Sequence, residues 1–497
     1  MNFIPLQHPA AHVNAGGVHK YGLRLRHAVC LAVTLCLAGC VAVGRDYGGP
    51  PPSPIPERWN GGHDRGDRDA KQLAGWWTQF GDPVLDGLIV DALVANTDLA
   101  SARGKLREAR ARRDLARAGL APSVTASGNA RRIDGSRETG SGASRDLFSA
   151  AFDASWEPDV FGARRRGVEA AEADLQASAE SLRDTRVTLL AEVARNYVEL
   201  RAGEQRLAIA IAGLDAQSET FDLTRWRREA GLVSELDEAL ALTELERTRA
   251  ALPGLQTATA EARHRLAILL GRAPGELDAR LSAGTGVPVA TAPVSAGIPA
   301  DTLRQRPDVR AAERRLAAQT ARLGEAEAAR YPSFRLTGSL GLEALTLGAL
   351  SSGRAGTASL LGGITAPVFD AGRIRSNIAV QDALLEQSRQ GYRAAVLTAL
   401  EDVENALVAL ANTGRRLQEL TRAAASARLA LDIARNRYAA GLADFQVVLD
   451  SQRTLLNLED QLASGTGEHA TARVRLYKAL GGGWTSADTA GDSKEPS

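Results

Sequence analysis

Between Gly162 and Gly231, and again between Gly372 and Gly441, the chain runs 68 residues without a proline. At 1.5 Å per residue a continuous helix of that size would reach about 100 Å, far beyond an ordinary globular domain. Apolar positions in these runs drift between three- and four-residue spacing, as in Leu182, Val187, Leu190, Val193, Ala194, Tyr197 and Leu200. The pattern predicts helices packed along their length in coiled-coil fashion. Charged residues occur in nearly every turn, so neither run is a membrane span.

The two runs are copies. Arg225-Trp-Arg227 leading to Ala230-Gly231-Leu232-Val-Ser234 echoes Arg435-Asn-Arg437 leading to Ala440-Gly441-Leu442-Ala-Asp444, with Gly231 and Gly441 210 positions apart. The same offset links Asp98 to Asp308, Leu106 to Leu316, Pro122 to Pro332, Gly162 to Gly372, Val193 to Val403, Leu266 to Leu476 and Gly271 to Gly481. A shared offset across most of the chain argues for tandem duplication. After each glycine a second apolar stripe leaves, as in Phe445, Val448, Leu449, Leu455, Leu456 and Leu462, so each copy ends in a helical hairpin tip.

Composition excludes several classes. The net charge of +1 gives no electrostatic basis for nucleic-acid binding. His63, His264 and His469 are scattered without cysteine partners, and no P-loop or complete dinucleotide fingerprint occurs, so an enzyme or metal site is not expected. The first 39 residues lack Asp and Glu; Lys20, Arg24 and Arg26 precede the apolar run Ala28 to Leu37, which ends Leu37-Ala38-Gly39-Cys40. This reads as a secretory signal with a lipobox, so Cys40 would become the acylated first residue, carrying diacylglycerol and an N-acyl chain. Cys30 and Cys36 leave with the signal, so no disulfide and no other cofactor is expected.

The expected organisation is a signal peptide at 1–39 and an acylated tether at 40–82, followed by repeat 1 at 83–271. A linker follows at 272–300, then repeat 2 at 301–481 and a tail at 482–497. Each repeat reads as short helix, β-hairpin, long helix, tip and return helix. The hairpins fall at 123–157 and 333–366, the long helices at 162–229 and 372–440. In the hairpins Val124, Ala126, Gly128 and Ala130 alternate with Thr125, Ser127, Asn129 and Arg131. Phe334, Leu336, Gly338 and Leu340 likewise alternate with Arg335, Thr337 and Ser339. The first short helix is expected to run from Pro83 to about Leu120, and Pro253-Gly254 to break the return helix of repeat 1.

Four strands cannot close a barrel, and open edges in lipid leave unpaired backbone groups costing several kcal/mol each. Oligomerisation is the remedy. The residues themselves argue for a mainly α chain with a membrane β-barrel portion and a tandem repeat, for which a trimer would give twelve strands.

Specific motifs support this. Leu-Ala-Gly-Cys40 and Trp76-Trp77-x-x-Phe80-x-Asp82-Pro83 are followed by Trp156-Glu157-Pro158-Asp159-Val160-Phe161-Gly162 and Arg306-Pro307-Asp308-Val309. Tyr331-Pro332-Ser333, Pro367-Val368-Phe369-Asp370-Ala371-Gly372-Arg373, Arg437-Tyr438-x-x-Gly441 and Val448-Leu449-Asp450-x-Gln452-Arg453 complete the set. In this order they resemble the outer-membrane efflux protein family, the outer-membrane factors of tripartite pumps of the TolC, OprM and NodT type, in its lipoprotein branch.

The resemblance implies a passive homotrimeric exit duct in outer-membrane lipid, a twelve-strand β-barrel continuous with a long α-helical barrel. It would be joined by a periplasmic adaptor (membrane fusion) protein to an inner-membrane transporter of the resistance-nodulation-division (RND) type, and would export drugs, metals or other small solutes. It also implies a periplasmic gate at Asp450, Arg453 and Asp237, and adaptor-tip contacts at Gly231, Leu232, Ser234, Gly441, Leu442 and Asp444. Val447 stands where such proteins carry a further acidic residue, and Ala443 where they carry a basic latch, so the lock is expected to be wired differently. On residues alone, Asp450 and Arg453 are also an ordinary i,i+3 surface pair, and the tip glycines ordinary helix caps. A type I protein-secretion duct and a poreless periplasmic coiled-coil lipoprotein remain the alternatives.

Overall fold

A computed structural model describes residues 42–52, 55–60, 70–140, 142–282, 286–290, 294 and 296–485. The leader, Cys40 and residues 486–497 of the expected tail lie outside the described residues. In chain order the first repeat carries α1 Ala70–Ala74, a 3-10 turn Trp76–Phe80, α2 Pro83–Ala95, α3 Thr97–Ala118, β1 Ser123–Asp134, β2 Ser144–Trp156, α4 Ala163–Glu229 and α5 Glu235–Leu269. After α6 Asp278–Leu281 come α7 Pro299–Gln305, α8 Pro307–Ala328, β3 Ser333–Ala344, β4 Gly356–Thr365, α9 Arg373–Ala439 and α10 Phe445–Ala479.

Two compact units form: residues up to Tyr47 with 114–170 and 319–383, and 48–113 with 171–318 and 384 onward. The first is built on an antiparallel sheet in the order β1-β2-β3-β4. Ser123 lies opposite Ser155, Trp156 opposite Leu336 and Ser333 opposite Thr365. These registers align the alternating side chains of all four strands. Val124, Phe152, Leu340, Leu360 and Ile364 share one face and are 64, 64, 66, 77 and 70 % exposed. Ser127, Asp153, Thr337, Ser339 and Ser359 share the other, whose larger apolar members are Ile133, Leu147 and Leu361. There Ser127 Oγ donates to Asp153 Oδ2 at 2.7 Å. An apolar face turned outward and a polar face opposite it are what a strand needs between lipid and a water-filled lumen.

Aromatic residues collect where the strands meet the helices. Phe161 stacks on Tyr331 with ring centroids 4.8 Å apart, Phe334 lies 6.3 Å from Phe161, and Trp156 Nε1 donates to the Leu120 carbonyl at 2.9 Å. The start of the expected tether is seated here. Arg166, 4 % exposed, donates to the carbonyls of Val43 and Gly44 at 3.0 and 3.1 Å and to Asp46 at 2.8 Å. Gly162, at φ +83°, makes the slot possible, because a Cβ there would lie 2.6 Å from that of Ala42.

In the second unit α9 buries Val396, Ala399, Val403, Ala406 and then Ala424, Ala427, Leu431 and Ala434, a three-four alternation. Coiled-coil seams have that spacing. Gly467 of α10 faces Ala202 of α4, where a Cβ would come within 2.7 Å. The short helix expected from Pro83 to Leu120 is two helices. Asn96 breaks it: Oδ1 accepts from Leu99 N at 2.9 Å, so Asn96 caps α3, and Nδ2 donates to the Leu269 carbonyl at 2.9 Å. Its repeat mate, Arg306, occupies the same joint between α7 and α8 and donates to the Ala479 carbonyl at 3.2 Å. Leu269 and Ala479 are themselves repeat mates, so both joints clasp the end of their own return helix.

Two other expectations are corrected. Pro253 does not break α5, which runs through it. Pro253 and Gly254 are exposed, so water can serve the Arg249 carbonyl that the proline leaves without a donor. The proline-rich stretch 45–75 reads as extended and unpacked, yet Trp59 is 5 % exposed with Nε1 donating to the Gly297 carbonyl at 3.1 Å; the following aromatics dock on the body as expected, Trp76 being 1 % exposed and stacked 5.2 Å from Tyr477. The described residues of the expected tail are docked as well. Gly483 N donates to the Leu73 carbonyl at 3.0 Å, and the guanidinium carbons of Arg183 and Arg310 lie 4.8 and 5.2 Å from the centre of the Trp484 ring.

Asp82 secures the start of α2 by accepting from Val84 N and Leu85 N at 2.8 and 3.1 Å. Its other oxygen accepts from the buried Tyr197 hydroxyl at 2.6 Å. Burial, reinforced by that carboxylate, pushes the phenol up to about 12.

Candidate functional site

Each long helix ends in the same device. Leu232 N donates to the Arg227 carbonyl and Gly231 N to the Arg228 carbonyl, both at 2.8 Å; Leu442 N and Gly441 N repeat this to Arg437 and Tyr438 at 2.8 and 3.0 Å. With Gly231 at φ +72° and Gly441 at +71°, these are Schellman caps. They leave Leu232 and Leu442 on the outside, 72 and 69 % exposed.

The departing helices differ. Ser234 opens α5 with a capping box: Asp237 N donates to Ser234 Oγ at 3.2 Å, and Ser234 N donates to Asp237 Oδ2 at 3.0 Å. Asp237, read as a gate carboxylate, is thus engaged in holding its own helix end. Asp444 opens α10 with no side-chain cap and is exposed. Phe445, buried, replaces the box by packing with Leu449 and Ala241, and its ring lies 5.4 Å from Tyr438. The Arg227 guanidinium sits 4.7 Å from the Tyr438 ring centre, which joins the two tips.

Asp450 and Arg453 are brought together loosely, Arg453 Nη1 lying 3.6 Å from Asp450 Oδ1. The stronger partner of Arg453 is Glu244, to which Nη2 donates directly. Glu244 is 5 % exposed and also holds Arg247 at 3.0 Å. That hydrogen bond is the largest influence on Arg453 and raises its affinity for its proton. Glu244 escaped the sequence reading, although it left a signal: a carboxylate on the stripe Ala241, Glu244, Leu245 and Thr248, all buried on α5.

Further links tie α10 to α4. Arg206 grips Asp460 through two hydrogen bonds of 2.7 and 3.1 Å, and Gln452 Nε2 donates to Thr220 Oγ1 at 3.1 Å. The tips and the links above them therefore bind both repeats through side chains rather than backbone. Cys40 lies outside the described residues.

The model of the outer membrane efflux protein family matches this chain twice, at residues 88–272 and 298–482. This chain belongs to the outer membrane efflux protein family. The two matches coincide with the two repeats. Among relatives of this efflux protein, Nodulation protein T of Rhizobium leguminosarum bv. trifolii is 32 % identical over 476 residues, covering 92 % of this chain and 97 % of that protein. The toluene efflux pump outer membrane protein TtgF of Pseudomonas putida is likewise 32 % identical, over the same shares of both chains. The solved outer-membrane channel OprN is 35 % identical with a TM-score of 0.84, over 89 % of this chain and 99 % of that one. The efflux protein is thus an outer-membrane channel, and its two-faced sheet is the part suited to the bilayer. Among the described residues no helix is long and apolar enough to cross a membrane.

Proposed function

We propose that three copies of this chain close a twelve-stranded barrel in the outer membrane and carry small solutes outward from an inner-membrane RND-type transporter. A periplasmic adaptor seats on the tips, and the transporter supplies the energy. The reading rests above all on the sheet: four strands with an exposed apolar face, a polar opposite face and two unpaired edges. Such a sheet is tenable in lipid only when closed by further copies. Leu232 and Leu442, held outward by paired glycine caps, offer the adaptor two equivalent apolar seats per chain.

In this reading the gate lies at Asp450 and Arg453, with Glu244 added as the buried partner that fixes Arg453. Asp237 serves the gate indirectly, by capping α5. Cys40 carries the lipid, and intact-mass measurement of the mature protein should show the acyl additions, lost in Cys40→Ala. The duct itself is tested by purification in detergent followed by native mass spectrometry and planar-bilayer recording. A trimer giving discrete channels is expected; a monomer without conductance overturns the proposal.

A further inference from the structure

The sheet has two open edges, β1 on one side and β4 on the other. The repeat identifies both. β1 pairs with β2 in the register that β3 keeps with β4, shifted by 210: Ser123 faces Ser155, and Ser333 faces Thr365. The open edge of β4 is therefore the repeat mate of β2, and that of β1 the mate of β3. Within the chain β2 and β3 pair with each other, Ser155 opposite Thr337, Asp153 opposite Ser339 and Ala151 opposite Gly341. Moving the β2 members up and the β3 members down by one repeat converts these pairs into Thr365 with Ser127, Gly363 with Asn129 and Leu361 with Arg131.

We propose that β4 of one copy pairs antiparallel with β1 of a second copy in this register, Thr365 opposite Ser127 of the next copy. The inference rests on the trimeric reading above and adds the residue-level seam. Three observations favour it. First, the register keeps Ser127, Asn129 and Arg131 on the face that carries Asp153, and sets Ile364 beside Gly128 on the apolar face; a slip of one residue would invert every side chain. Second, Leu361, 68 % exposed on the polar face, falls opposite Arg131, whose aliphatic stem can cover it. Third, Val368, 97 % exposed just beyond β4, comes alongside Val124, 64 % exposed at the start of β1. Two bare apolar residues thereby cover each other.

Directly opposed residues on antiparallel strands bring their Cα atoms to roughly 4.5–5.5 Å, inside the Cα separation that a disulfide spans. The full chain carrying Thr365→Cys and Ser127→Cys is oxidised in detergent and run without reductant. Covalent dimers and trimers are expected, several-fold more abundant than in Thr365→Cys paired with Thr125→Cys or Asn129→Cys, which keep the face but slip the register by two residues. Gly363→Cys with Asn129→Cys supplies a second in-register pair should the first disturb folding. Preferential cross-linking of a slipped pair overturns the register, as does no cross-linking of either in-register pair when native mass spectrometry still finds trimers. A monomer in that measurement is a different failure, because it removes the trimeric reading itself.

Discussion

Arg453 has two carboxylates within reach and bonds the one on the other repeat. Glu244 is buried and Arg453 is 45 % exposed along its side chain, so losing the arginine leaves the glutamate with Arg247 and costs about 1 kcal/mol after allowance for solvent screening. Arg453→Ala and Glu244→Gln are expected to raise single-channel conductance alike, because either change frees α10 from α5. Asp450→Ala, which leaves the Glu244 bond in place, should raise it less. A larger effect in Asp450→Ala would take the latch away from Glu244. The Val-Leu-Asp motif made Asp450 and Arg453 legible in the sequence. Glu244 was not, because it meets Arg453 through the packing of two return helices, and no local spacing records that contact.

At the scale of elements, the two tips are alike in their glycine caps and unlike in the helix that follows. Ser234→Ala removes a capping box and should lower stability by about 1 kcal/mol, whereas Asp444→Ala removes no cap hydrogen bond and should be nearly neutral. Hydrogen exchange at the first turns of α5 and α10 would separate the two. Between α9 and α10, Thr413 Oγ1 lies 3.1 Å from His469 Nδ1. Burial, then the neighbouring Arg473 guanidinium, hold the imidazole below its ordinary value of 6.5, so the folded chain binds that proton less tightly than the unfolded one. The stabilisation is complete above pH 6.5 and is lost as pH falls below it, and thermal melts should show His469→Gln to have a flatter pH dependence there. Long helices and strands were legible because their periodicities are strong. The break at Asn96 was not, since nothing in Ala-Asn-Thr-Asp announces that its amide reaches the Leu269 carbonyl.

For the molecule as a whole, duplication was the most legible property, because an offset of 210 survives at joints such as Asp98 and Asp308, Pro122 and Pro332, and Gly162 and Gly372. What the offset concealed is that paired joints need not use paired chemistry. Asn96 clasps its return helix with a neutral amide. Arg306 does so with a guanidinium, 8 % exposed, that also grips Asp308 through bonds of 3.0 and 2.6 Å and Asp402 at 2.9 Å. Arg306→Ala removes the shared partner of Asp308 and Asp402, whose side chains are 32 and 47 % exposed, and should cost about 2 kcal/mol, against about 1 kcal/mol for Asn96→Ala, in detergent-solubilised thermal unfolding. In a ring of three copies these joints would alternate, amide then ion cluster. Six hairpins that look interchangeable would then divide into two classes of unequal stiffness, and dilation of the passage would begin in the class hinged on asparagine and proceed in triads.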